Sequence, residues 1–436
     1  MSVFLYNIFL WLFRAGTVAA SLFHPKAKKW VAGRKNIFNK LEKTIPKGEK
    51  IIWVHCASLG EFEQGRPVIE KLRALGTGHR ILLTFFSPSG YEVQKNYPGA
   101  DWVFYLPVDG PRNAKRFLEI VNPSLVIFVK YEFWYYYLKK IKYRKIPLLL
   151  ISALFRRDMS FFKWYGGLQR KMLSRFDHLF VQDAGSKKLV DEIGLQEIST
   201  ISGDTRFDRV IEIAEKKESI PGMEDFISNS KVLVAGSTWP EDELVLQKAY
   251  SLLKDHWLKL VIAPHEINEK RLASIKELFP GAVLFSQLTT HDSRFTTHDS
   301  RLATHDSRLA TVLIIDNIGM LSRLYNHAYI TYVGGGLKTE GVHNVLEAAV
   351  YRKPVLFGPY YHKYREAVGL VRSGGGISFN DEKREGQMPA SLIEALLSNQ
   401  EEYNRVSRAA GEFVQANKGA AQKIIQFIQE KRLLTN

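Results

Sequence analysis

The sequence predicts an α/β protein built as two similar halves, each a parallel sheet covered by helices, with a cleft between them. Three observations lead there. Short apolar runs recur with helical stretches between them, at 51–56, 80–86, 102–106, 124–129, 147–152 and 178–182. A second series follows at 231–236, 259–263, 312–315, 328–333 and 354–357, after a charged stretch at 212–218 and a Pro221-Gly222 turn. Strands separated by helices argue for a parallel sheet, because a parallel return needs a long crossover. Finally, 436 residues exceed one ordinary core.

Composition narrows the partners. With 45% hydrophobic and 24% charged residues the chain is globular in character. A formal charge of +16 implies an anionic partner: nucleic acid, acidic lipid headgroups or a phosphorylated substrate. The single cysteine, Cys56, excludes an internal disulfide and suits a reducing compartment. Set in an apolar strand, it reads as a small buried hydrophobe.

Taken in order, residues 1–24 are apolar and aromatic, with Phe4, Leu5, Ile8, Phe9, Leu10, Trp11, Leu12 and Phe13 leading. The stretch is about long enough to cross a bilayer, but Arg14 interrupts it at a cost of roughly 2.5–3.5 kcal/mol near the centre. Lys26, Lys28, Lys29, Arg34 and Lys35 follow, which places the next domain in the cytoplasm beside anionic lipid. Residues 1–24 are therefore expected to be a membrane anchor, either spanning or lying in the interface. A cleaved signal would need a basic segment ahead of the apolar run.

The first half, 25–215, places acids at strand ends. In His55-Cys56-Ala57-Ser58-Leu59-Gly60-Glu61, Glu61 opens a helix at the mouth of the sheet, where a general base would stand. The same position also suits an acid that merely complements the helix dipole. Glu132 follows the most apolar strand; it serves either chemistry or a pairing with Lys130 or a nearby Arg. Arg206, in GDTRFD, is either a stabiliser of developing charge or a surface ion pair.

The second half, 222–415, repeats the pattern. Ser237 and Thr238 are helix caps or phosphate donors. Pro264-His265 and Ile318-Gly319-Met320 each follow a strand. Gly334, Gly335 and Gly336 precede a helix expected to start near 341–343 and to run through Asn344, Val345, Leu346 and Glu347. Glycines let a ligand approach the backbone and helix starts offer free N–H groups, so the stretch reads as an anion seat, or else as a tight turn. It is neither a P-loop, because Val342-His343 replaces Lys-Ser/Thr, nor a dinucleotide fingerprint, because Thr339 replaces glycine. Glu347 shares a helix face with His343 and suits ribose hydroxyls. An insertion at 288–311 carries three THDSR units, whose His291, His298 and His305 lack complementary ligands; an idle loop and no metal are expected. Residues 416–436 form a final helix capping one domain.

Together these motifs resemble the 3-deoxy-D-manno-octulosonic acid (Kdo) transferase family, which adds Kdo to the lipid A precursor. The resemblance rests on HPKAKKWVAGR, HCASLGEFEQGRPVI, the EFW segment, GDTRFD, AGSTWPEDE, the Pro-His-Glu turn and GGGLKTEGVHNVLEAAVYRKPVLFGP. It implies the glycosyltransferase B fold, two Rossmann-like domains facing across a cleft, with acceptor in the first and nucleotide in the second. It also implies that Glu61 is the proton acceptor and that Glu132 and Arg206 stabilise the transition state. CMP binding falls on Pro264 and His265, on Ile318, Gly319 and Met320, and on Asn344, Val345, Leu346 and Glu347. The family commonly carries Arg where His265 stands, Lys where Arg206 stands, Gly where Val342 stands and Glu where Lys130 stands.

The implied reaction is inverting transfer of Kdo from CMP-Kdo, the donor substrate, to the lipid A precursor lipid IVA. No cofactor is implied, and no metal, since no Asp-x-Asp occurs and a monophosphate leaving group needs no metal bridge. Implied partners are CMP-Kdo, the lipid A precursor and anionic inner-membrane lipids, without nucleic acid, on the cytoplasmic face of the inner membrane. Two alternatives stand beside it: another nucleotide-sugar transferase of this fold, and a basic membrane-associated binding protein without catalysis.

Overall fold

The computed structural model describes residues 2–216, 218–253, 258–288, 310–381 and 385–434, so the THDSR units lie outside the described residues. The chain forms two compact units, one of Met1–Arg209 with Lys418–Asn436 and the other of Val210–Asn417.

The first unit holds β1 (Ile51–Cys56), β2 (Arg80–Phe85), β3 (Trp102–Tyr105), β4 (Leu125–Val129), β5 (Leu148–Ala153), β6 (His178–Val181) and β7 (Ser199–Ile201). They form one sheet in the order β3-β2-β1-β4-β5-β6-β7 with every pairing parallel. Buried on both faces, β1 (IIWVHC) and β4 (LVIFV) read as unbroken apolar runs apart from His55. Ile51 and Trp53 enter one core with Leu82 and Phe128, whereas Ile52, Val54 and Cys56 enter a second with Phe62, Ile69 and Leu72.

Four helices frame this unit's start: α1 (Val3–Ala20), α2 (Pro25–Arg34), α3 (Ile37–Thr44) and, after β1, α4 (Leu59–Ala74). The chain's last helix, Ala420–Glu430, belongs to this unit as well and sends Ile424, Ile425 and Ile428 into the second core. Asp208 caps its start, accepting from the N–H groups of Gly419 at 2.6 Å and Ala421 at 2.7 Å.

The second unit holds β8 (Lys231–Thr238), β9 (Leu258–Pro264), β10 (Val283–Leu284), β11 (Val312–Ile314), β12 (Ile330–Val333), β13 (Val355–Phe357) and β14 (Gly376–Ser378). Their order is β10-β11-β9-β8-β12-β13-β14, again all parallel. Strand order reverses between β1 and β4 in one sheet and between β8 and β12 in the other. Crevices outside the carboxyl ends at such switch points are where α/β sheets bind ligands.

Three strands escaped the sequence reading: β7, β10 and β14, each at a sheet edge and only two or three residues long. The charged stretch at 212–218, between the two series of strands, begins inside a helix, Thr205–Glu215, within which the division between units falls.

Candidate active-site residues

At the β1/β4 switch point of the first unit, carboxylates gather around Cys56. Burial, then the charges of Glu61, Glu132 and Glu63, push its thiol pKa well above the usual value. Glu61 stands in the first turn of α4, half-buried, with Ser58 at the cap position donating its hydroxyl to the carboxylate. Among the described residues it takes part in no ion pair.

Glu132 is held differently. It is 8% exposed and accepts from His55 Nε2 at 2.8 Å and from the Trp134 indole. His55 lies fully buried in β1, its Nδ1 2.8 Å from Thr84 Oγ1 on β2. Trp53 Nε1 in turn donates to that same hydroxyl at 2.7 Å. Nδ1 also lies 3.1 Å from the Thr84 carbonyl, so Thr84 holds the ring through both its hydroxyl and its main chain. Because a carboxylate only accepts, Nε2 is the donor toward Glu132. Glu132 is thus fixed from both sides, by an imidazole and an indole.

Arg206 opens the helix Thr205–Glu215, and its guanidinium binds Asp204, with Nε to Oδ2 at 2.9 Å. That helix is stitched to α4. Thr205 Oγ1 donates to Gln64 O at 2.6 Å, and Arg209 pairs with Glu63 at 3.3 Å. All three catalytic candidates therefore stand on elements joined at the carboxyl edge of one sheet. His55, Thr84 and Trp134 carried no assigned role in the sequence; the available signal was a histidine inside an otherwise apolar strand.

In the second unit the carboxyl ends of β8, β9 and β12 bring together a column of rings. His265, just past Pro264 at the end of β9, stacks on Trp239 at 4.7 Å and on His343 at 4.3 Å between centroids. Trp239 Nε1 donates to His343 Nε2 at 2.9 Å. Burial, then the neighbouring His265, pull the His343 pKa down to about 4. Beside the column, Asn344 Nδ2 donates to Glu347 Oε1 at 2.9 Å, while Val345 and Leu346 are buried, so their side chains face the core. Ile318 is 92% exposed on a loop turned by Gly319 with φ +97°, and Met320 is buried.

The glycine run does not behave as an open anion seat. Gly334 N–H donates to Gly236 O, and Gly335 N–H donates at 2.9 Å to Asp242, a carboxylate of the chain itself. Asp242 also accepts from Tyr332 Oη at 2.6 Å and from Trp239 N–H. A side chain at Gly335, where φ is +87°, would meet Gly341 O at 2.7 Å. Close packing is what demands glycine here. The following helix is only Leu346–Ala349, not a helix from 341–343, because the N–H groups of Gly341, Val342 and His343 turn to Lys338, Tyr360 and Gly334.

Comparison with known proteins agrees with this architecture. Residues 32–209 match the family described as 3-deoxy-D-manno-octulosonic-acid transferase (kdotransferase). The chain is 29% identical over 351 residues to the 3-deoxy-D-manno-octulosonic acid transferase of Aquifex aeolicus, covering 79% of this chain and 86% of that protein. To the transferase of the same description from Haemophilus influenzae it is 25% identical over 414 residues, covering 93% and 92%. The UDP-GlcNAc 2-epimerase from Neisseria meningitidis bound to UDP-GlcNAc superposes with a TM-score of 0.60 at 18% identity, over 87% of this chain and 100% of that one. That likeness speaks for the fold, two Rossmann-like units of the glycosyltransferase B type. Its first unit matches the family domain, and along most of its length the chain is similar to 3-deoxy-D-manno-octulosonic acid transferases.

Proposed function

We propose that the protein transfers Kdo from CMP-Kdo to the lipid A precursor lipid IVA, with inversion, at the cytoplasmic face of the inner membrane. In this reading the bond from the Kdo anomeric carbon to the CMP phosphate breaks and one to an acceptor hydroxyl oxygen forms. The hydroxyl proton passes to Glu61. The observation that carries the reading is the unequal engagement of the two carboxylates. Glu132 is locked between His55 and Trp134, whereas among the described residues Glu61 meets only the Ser58 hydroxyl, a group able to turn away when a substrate hydroxyl arrives. A general base has to reach its proton directly, and Glu61 is the carboxylate left to do so.

Arg206 acts on the negative charge that develops as the phosphate departs, and Glu132 on the positive character left at the sugar. Pro264, His265, Ile318, Gly319, Met320, Asn344, Val345, Leu346 and Glu347 hold the cytidylate. Val345 and Leu346 would do so through their main chain, since their side chains are buried. The departing monophosphate needs no metal bridge, and the reaction needs no cofactor.

The test is Glu61→Gln assayed with CMP-Kdo and lipid IVA. Turnover should fall by about 10²–10⁴-fold while CMP affinity stays near that of the parent. Undiminished turnover would remove Glu61 from the mechanism, and transfer from a UDP-sugar in place of CMP-Kdo would reassign the donor.

A further inference from the structure

The helix α1 is long and apolar enough to cross a membrane, yet the protein already holds one side of it. Tyr6, Leu10 and Phe13 form a stripe at helical spacing on the first unit. Tyr6 Oη donates to buried Asp109 at 2.7 Å and accepts from Tyr135 N–H at 3.2 Å. Asn7 accepts from Tyr136 Oη at 2.8 Å, and the Phe13 ring meets Trp30 at 5.6 Å and Phe86 at 5.8 Å. From Tyr6 to Phe13 roughly 10 Å of helix axis therefore lies along the domain surface. Upright insertion would either break these bonds or carry Asp109 and its partners into hydrocarbon.

The opposite side of α1 is bare. Phe9 is 52% exposed and Trp11 69%, and the turn after the helix adds Leu22 at 77% and Phe23 at 88%. Charge surrounds this apolar face with one sign: Arg14, Lys26, Lys28, Lys29, Arg34, Lys35 and Lys40 precede the first acidic residue, Glu42. Beside it opens a pocket of about 530 Å³ between α1, α2, α3 and the segment 107–116, with Arg14, Arg34, Lys35 and Arg116 in its lining and no carboxylate among the lining residues. Two of these cations have partners. Arg34 donates to the carbonyls of Leu106 and Phe86, and Arg116 pairs with Glu42. Arg14 and Lys35 are exposed.

We propose that α1 lies in the plane of the membrane, its bare face sunk in the leaflet, and that the adjoining basic pocket seats the phosphate of an anionic phospholipid headgroup. An apolar helix face bordered by cations is the pattern of an interfacial helix. Arg14, awkward inside a spanning helix, then reaches up to the headgroup level with its stem on the apolar side. This seating rests on the first unit alone and stands whichever donor and acceptor the enzyme uses.

Two measurements on the full chain test it. Binding to phosphatidylcholine vesicles with and without phosphatidylglycerol should show a preference for the anionic lipid, and the double variant Arg14→Gln, Lys35→Gln should lose about tenfold or more of the anionic affinity. Affinity for phosphatidylcholine alone should not change. A preference for anionic vesicles that survives the double variant overturns the pocket. For orientation, Ser2→Cys is exposed to a membrane-impermeant maleimide on inside-out vesicles from an expressing host, where Cys56 is shielded by burial. Labelling without lysis supports the in-plane helix; protection until the vesicles are opened means that α1 spans.

Discussion

At the scale of single residues, the first unit separates two carboxylates by what holds them. His55 is the residue that makes the difference, because its Nε2–H reaches Glu132 and its Nδ1 is oriented by Thr84. A hydrogen bond to a charged acceptor contributes about 1.5–3 kcal/mol, and each 1.4 kcal/mol is a tenfold change in rate. His55→Gln is therefore expected to lower kcat by roughly 10–100-fold while leaving the KM for the donor nearly unchanged. An unaltered kcat in a folded His55→Gln protein would reduce the Trp53–Thr84–His55 chain to a packing role. In the second unit, Asp242 shows how a residue with no expected part can govern a loop. It satisfies Gly335 N–H from within the chain and so turns a supposed phosphate cradle into fixed backbone.

At the scale of elements, the helix Ala420–Glu430 is an example of a segment whose destination its own pattern cannot disclose. Its apolar stripe, Ile424, Ile425 and Ile428, signals burial somewhere, and the structure places it against the core of the unit formed by the chain's beginning. Each such isoleucine contributes about 1.5–3 kcal/mol when fully buried, so the three together rival the 5–15 kcal/mol typical of a whole domain. Ending the chain after Asn417 should leave the first unit unfolded or aggregated while the second retains its cooperative melting transition, as calorimetry would show. Two intact transitions in the truncated protein would mean that this helix is dispensable. The edge strands β7, β10 and β14 make the same point from the other side. With a neighbour on one side only they need no long apolar run, and nothing in their sequences separates them from turns.

At the scale of the whole molecule, acid should work on both units through groups of opposing sign. Burial pulls the pKa of His343 in the second unit down to about 4, and burial, then Lys431, does the same to His178 in the first. Between the ordinary 6.5 and about 4 the unfolded chain binds the protons that the folded chain refuses, so stability falls as pH falls through that window. Asp109 opposes this in the first unit, as Asp242 and Glu243, whose pKa values burial also raises, do in the second. Burial raises the Asp109 pKa from 3.8 to about 6, so the folded state takes up its proton first and gains stability as pH drops from about 6 toward 3.8. Melting followed from neutral pH downward should show the histidine-driven loss partly offset by these carboxyl groups in both units. Asp109→Asn should steepen the loss in the first unit only, and parallel losses in parent and variant would contradict this account.

What the sequence by itself determined is whatever local pattern dictates. Buried parallel strands are forced to be apolar runs, so β1, β4 and β9 were visible as strings of letters, and the residues that follow them, Glu61, Glu132 and His265, were visible as candidates. A seven-residue stretch such as Ser58 to Gln64 even carries its own cap and first-turn acid. Only the tertiary structure decided the rest. His55 and Glu132 are 77 positions apart and meet because β1 and β4 are neighbours in the sheet, while Trp239, His265 and His343 form a column because three strands end side by side. Whether a glycine's N–H waits for a ligand or is already satisfied depends on a carboxylate 93 positions away. Parallel topology places residues far apart in sequence at one sheet edge, and so the partners of each catalytic candidate had to come from the fold.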